Sequence, residues 1–165
     1  MTVKQKIEKL RELMRQHGID AYIIPSSDAH QSEYVSDYWK SREWISGFTG
    51  SAGTVVVTLD SAGLWTDGRY YIQAEKQLAG SGIELFKMGQ PGVPSYIKWL
   101  KECLKDKACV GFDGRTFSVS TVRNMEKAFK GKAITFKMDC DLIGSLWLDR
   151  PPLPAEPVFI HDVKF

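Results

Sequence analysis

Three short stretches hold residue types that could do chemistry. Residues 28–34, DAHQSEY, place Asp28, His30 and Glu33 close together. Carboxylates around an imidazole are the ingredients of a metal site or of proton transfer. Their i, i+2, i+5 spacing does not make the single helix face of an HExxH site. The other histidines, His17 and His161, fall at a helix end and in the C-terminal tail. A catalytic metal needs about three rigidly held protein ligands, so no metal site is expected in this chain. The simpler expectation is a polar loop whose side chains satisfy one another and the loop backbone.

The second stretch, GFTGSAG, spaces Gly47, Gly50 and Gly53 three apart. A phosphate-cradling loop follows a strand and opens a helix, with its amides aimed at the phosphate. This loop instead feeds a strand and lacks the lysine of a P-loop. Tight turns and close backbone packing explain the glycines better. Ser46, Ser51 and His30 offer no G-x-S-x-G elbow for a serine nucleophile. Cys103 falls on an apolar helix face and reads as core. The third stretch, WTDGRYY (65–71), sets Asp67 and Arg69 either side of a glycine at a strand-to-helix junction. In α/β proteins such junctions lie where sites form. Asp67 as a helix cap beside a surface Arg69 is the plainer alternative.

The elements that must position these residues follow from periodicity. Val3, Ile7, Leu10, Leu13 and Met14 make one apolar stripe over residues 3–17, stopped by Gly18. AYIIP (21–25) reads as a buried strand. TVVVTL (54–59) and GLWTD (63–67) read as a hairpin. Between AYIIP and that hairpin, residues 26–53 form a long polar and aromatic region. A helix capped by Asp67 is expected from Arg69 to Leu78, with Tyr71, Ala74 and Leu78 inward and Gly80 ending it. IELFKM (83–88) is a strand, and Pro94 suits the first turn of a helix burying Ile97, Leu100 and Leu104. ACVGF (108–112) is a strand. A helix capped by Ser118 turns Val119, Val122, Met125 and Phe129 inward. AITFKM (133–138) is a last strand and DLIGSLW (141–147) a short helix. The fold class is therefore α/β, a mixed sheet of about six strands flanked by helices.

The chain's 165 residues, 43% hydrophobic and 25% charged, suit one folded domain with a core. The net charge of +2 is spread evenly, unlike the clustered basic face of a nucleic-acid binder. Three cysteines, Cys103, Cys109 and Cys140, without a CxxC pair, fit a reducing compartment. With neither a signal-like N-terminus nor a run of about 20 apolar residues, a cytoplasmic location is expected and no membrane. Residues 150–157, RPPLPAEP, hold four of the seven prolines and read as a stiff connector. VFIHDVKF (158–165) resumes an alternating pattern, so 1–149 is expected to be one domain and 158–165 the start of a truncated second.

Taken in order, AYIIPSSDAHQSEY, REWISGFTGSAGTVVVT, LWTDGRYYIQAEKQL and LDRPPLP resemble the N-terminal domain of cytosolic Xaa-Pro aminopeptidases. These belong to the creatinase/prolidase group, and the resemblance is to the three-domain type. It implies a ribonuclease-H-like α/β domain, then a second domain of similar fold and a pita-bread catalytic domain. That last domain would carry two divalent metals, usually manganese, so this chain should hold no cofactor and no catalytic residue. The parent would be a homodimer and a lone domain a monomer. Its partners would be short peptides with proline second, released of their first residue, and not nucleic acid. DAHQSEY would then belong to a face turned toward a distant active site. Arg69 is the foremost substrate-binding candidate, a guanidinium able to hold a peptide carbonyl or carboxylate in a forked bond. His30 and Tyr34 are rim candidates, with Asp67 orienting Arg69 or capping its helix. Two other readings stay open: a peptide- or partner-binding module of a pita-bread protein without its metal ligands, and a nucleic-acid enzyme, whose clustered carboxylates and basic face are not in view.

Overall fold

A computed structural model describes residues 1–160, 162 and 164. Helix α1 (Val3–His17) opens with a capping box between Thr2 and Gln5 and closes on Gly18 in the left-handed region. Strand β1 (Ala21–Pro25) follows, then α2 (Ser41–Ser46), β2 (Thr54–Thr58) and β3 (Ala62–Thr66). Next come α3 (Tyr71–Leu78), β4 (Glu84–Lys87), α4 (Tyr96–Cys103) and β5 (Cys109–Phe112). Helix α5 (Val119–Ala128), β6 (Thr135–Lys137) and α6 (Leu142–Leu146) complete the domain.

The six strands form one sheet in the order β4-β3-β2-β1-β5-β6. β2 pairs antiparallel with both β1 and β3, and every other pairing is parallel. The expected hairpin and mixed sheet are therefore present. Strand alternation sends Tyr22, Ile24, Val55, Val57 and Leu64 to one face, under α1, α3 and α6. Ala21, Ile23, Val56, Trp65, Val110 and Phe112 go to the other, under α4 and α5. Inside the first layer the Tyr22 hydroxyl donates to the Cys140 carbonyl and accepts from the Leu142 amide at 3.1 Å.

Several expectations change. The 26–53 region holds a 3₁₀ turn (Asp37–Trp39) and α2, whose six residues are too short for periodicity to reveal. α3 begins at Tyr71, two residues later than expected, because the Asp67 carboxylate engages Arg69 rather than a helical amide. Tyr71 is half-buried. Pro94 precedes α4: the Ser95 hydroxyl caps it by accepting from the Lys98 amide at 3.2 Å, while the Pro94 carbonyl accepts from the Trp65 indole at 2.9 Å. Cys103 is exposed, since α4 buries the side running through Leu100 to Leu104 and its last residue sits beside that stripe. Val119 is exposed too, in the first turn of α5, whereas Met125 and Phe129 further along reach the core. Residues 151–160 have no regular secondary structure, and His161 lies outside the described residues.

Candidate functional site

Because β2 alone runs backwards, five strands end, and β2 begins, at the same edge of the sheet. The segments after β1 and β3 and the glycine loop before β2 therefore meet there. They enclose a groove of about 460 Å³ lined by Gln31, Glu33, Ser51, Asp67, Arg69 and Met88, among others. A smaller hollow of about 280 Å³ lies across Glu33, lined by Tyr34, Trp39, Arg42 and Glu43.

Asp67 and Arg69 form a closed pair in the larger groove. Asp67 Oδ1 accepts from the Arg69 amide at 3.0 Å and from Nε at 2.9 Å, and Oδ2 accepts from Nη2 at 2.8 Å. This forked bond holds the Asp67 carboxyl below the usual carboxylate range and pushes Arg69 up. The Arg69 side chain keeps 67% of its surface exposed, so one edge of the guanidinium is fixed while the rest faces the groove. It lies 5.1 Å from the centre of the Tyr70 ring, whose hydroxyl pairs with Ser51 at 2.6 Å. Asp67 thus orients Arg69 and does not cap α3.

The DAHQSEY segment behaves as a polar loop. Asp28 is buried, and its Oδ1 accepts from the His30 and Ser32 amides at 2.9 Å each. Those donors, Ser32 first, depress its carboxyl below the ordinary range. Gln31 takes a positive φ of 57° and its side-chain Nε2 donates to the Thr116 carbonyl at 3.0 Å, tying the loop to the segment after β5. The three metal candidates diverge: Asp28 turns inward, Glu33 lines the groove and His30 is exposed outside its lining. Among the described residues no group of three or more His, Cys, Asp or Glu could hold a metal ion. Asp28, His30 and Glu33 are therefore not gathered into one metal-binding set. Tyr34, 89% exposed, stands on the smaller hollow. Of the four residues singled out as substrate-binding, Arg69 and Asp67 come together in the groove, Tyr34 stands next door and His30 lies outside both linings.

The glycine loop has no strand partner along most of its length, and side chains satisfy its backbone instead. Arg42 donates Nε to the Ser26 hydroxyl at 2.8 Å, Nη1 to the Phe48 carbonyl and Nη2 to the Gly50 carbonyl. The Ser26 hydroxyl in turn donates to the Gly53 carbonyl at 2.8 Å, and Thr66 donates to the Ala52 carbonyl at 2.7 Å. Gly47 sits at φ 71°, and a Cβ on Gly50 would fall 2.3 Å from Phe48, so the glycines serve turning and close packing. Arg42, only 5% exposed, escaped the sequence reading because a charged residue in a polar stretch looks solvated. A second arginine cluster escaped too. Asp141 accepts from Arg115 at 2.8 Å and from Arg150 at 2.7 Å, and Arg150 Nε donates to the Tyr38 carbonyl at 2.7 Å. The first residue of the proline-rich segment is thereby anchored on the domain.

What the fold and groove define is a small α/β domain that presents an oriented arginine at the carboxyl edge of a mixed sheet. Residues 6–139 match the Creatinase/Prolidase N-terminal domain family, and the chain belongs to it. Aminopeptidase P2 of Arabidopsis thaliana is 44% identical over 170 residues, covering 100% of this chain and 24% of that protein. Xaa-Pro aminopeptidase 1 of Dictyostelium discoideum is 41% identical over 176 residues, covering 100% of this chain and 28% of that protein. Among solved structures, the X-prolyl aminopeptidase of Caenorhabditis elegans, a cytosolic enzyme with a di-nuclear active site, superposes with a TM-score of 0.90 at 37% identity. The match covers 99% of this chain and 28% of the nematode chain. The chain thus spans about a quarter of the length of the curated relatives it matches.

Proposed function

We propose that this chain is the non-catalytic N-terminal domain of a cytosolic, proline-specific metallo-aminopeptidase that releases the first residue from X-Pro peptides. The reading rests on kinship with Xaa-Pro aminopeptidases over the whole chain and on one geometric observation, the forked Asp67–Arg69 pair in the edge groove. Residues 1–149 would be the domain, 150–157 a linker and 158–165 the opening of the next domain. The hydrolytic step belongs to the part of the relatives' length that this chain does not span. What these residues contribute is recognition and enclosure. Arg69 offers its free edge to a peptide carbonyl or carboxylate, with Asp67 holding the plane of the guanidinium. The walls from residues 26–33 and 48–53 cap the cleft and limit it to short peptides.

The test uses the full-length protein and an X-Pro-Y tripeptide with added Mn²⁺. Arg69→Ala should lower kcat/KM by roughly tenfold or more, and Arg69→Lys should recover only part of it, since a point charge cannot reproduce a fork. The 165-residue chain should release nothing above a metal-free blank. Equal activity of wild type and Arg69→Ala would remove Arg69 from the substrate site. A full-length protein inactive with every divalent metal tried would favour a binding module.

A further inference from the structure

A column of side chains runs from the buried Arg42 to the exposed Arg69. The Arg42 guanidinium lies 4.9 Å from the centre of the Phe48 ring. Phe48 meets Tyr70 edge-on at 5.9 Å, and Arg69 lies 5.1 Å from the Tyr70 ring centre. Gly50 fits between the two rings, where a Cβ would come within 2.8 Å of Tyr70. Arg42 holds both ends of this segment, since it donates to the carbonyls of Phe48 and Gly50. No salt bridge with Arg42 occurs among the described residues: Glu43 favours its charge only from beyond contact, and the direct partners of this nearly fully buried cation are neutral oxygens and a ring face. A buried charge is costly to desolvate, and few positions hold one without a carboxylate. A leucine would fill this space for packing alone. The groove-lining Ser26 is the third acceptor, so one planar fork fixes both walls.

We propose that Arg42 is a positioning residue for Arg69: its clamp on Phe48, Gly50 and Ser26 fixes the edge-to-face Phe48–Tyr70 pair, over whose Tyr70 ring the Arg69 guanidinium lies. The inference deepens the proposed function and rests on it for the role of Arg69. Asp67 sets the plane of Arg69 from the side, and the Tyr70 ring sets its height over the groove.

The test compares wild type with Arg42→Lys in the full-length protein by two readouts. Lysine keeps the charge but offers no planar fork. Amide hydrogen exchange across residues 47–53 and 69–73 should rise roughly fivefold, with β5 unchanged, as expected of a local opening. For X-Pro-Y hydrolysis, KM should rise roughly tenfold while kcat stays within about twofold, the signature of a displaced binding group. In an Arg69→Ala background, Arg42→Lys should add nothing to KM, because the two residues act through one contact. Unchanged exchange in the two segments overturns the inference. A KM effect that persists in full without Arg69 overturns it as well. If Arg42→Lys fails to fold, Tyr70→Leu keeps the clamp, removes the platform and carries the same KM expectations. If Arg69→Ala itself leaves KM unaltered, the proposed function fails, and exchange alone decides whether Arg42 holds the Phe48–Tyr70 pair.

Discussion

Replacing Gly50 by alanine tests the packing on which the groove depends. The φ of Gly50 lies outside the left-handed region, so its backbone would accept alanine. The obstacle is space. A Cβ would lie 2.3 Å from Phe48 Cζ, 2.8 Å from Tyr70 Cδ1 and 2.9 Å from Phe48 Cε2. Phe48 is fully buried and cannot swing aside without moving its neighbours. Overpacking of this kind costs about 1–3 kcal/mol. Against it, alanine restricts the unfolded chain and returns about 0.4–1 kcal/mol. The net expectation is a loss of about 1–2 kcal/mol, or roughly 2–8 °C in Tm for a domain of this size. Urea unfolding of the 165-residue chain, followed by tryptophan fluorescence, measures it. Gly18→Ala is the contrasting control: nothing lies within 4 Å of its Cβ, and its φ of 65° makes any loss one of backbone strain. Phe48→Leu should remove part of the Gly50→Ala penalty, because the two changes share one space, whereas Gly18→Ala should show no coupling to it. A Gly50→Ala protein as stable as wild type, or strict additivity with Phe48→Leu, would refute the packing argument.

Two further expectations concern ionisable groups. The Asp28 carboxyl is depressed in the folded state, so its stabilising contribution is present above the unfolded aspartate pKa of about 3.9 and fades as pH falls through the lower folded value. Wild type should therefore exceed Asp28→Asn in urea stability at neutral pH, and the gap should close below about pH 4; a gap independent of pH would show that the carboxylate charge does not matter there. Among the thiols, Cys103 should react first with a thiol reagent in the native protein, because it is exposed while Cys140 is buried. Burial and then Glu102 push the Cys103 thiol up, so its rate should lag behind that of a free cysteine at pH 8. Labelling of Cys140 before unfolding would contradict the packing around Tyr22.

What could be read without coordinates were the patterns with a short range. The stripe over 3–17, the paired strands around DSAG and the strand-helix alternation after residue 80 all follow from side chains within one or two turns of each other. The order of blocks from AYIIP to LDRPPLP carried the family. WTDGRYY carried Arg69 and Asp67, because a strand-to-helix junction is recognisable locally. Tertiary structure alone decided which of those residues share a site. His30 and Glu33 are three apart in sequence, yet one is outside the groove and the other lines it, because Gln31 turns the chain at a positive φ. It also decided that Arg42 is buried and Cys103 exposed, against the usual habits of both residue types. The reason is the same in each case. Whether a charge can be buried depends on oxygens brought to it by the fold, and the Ser26 and Gly50 acceptors meet at Arg42 in the arrangement where β1 and β2 pair.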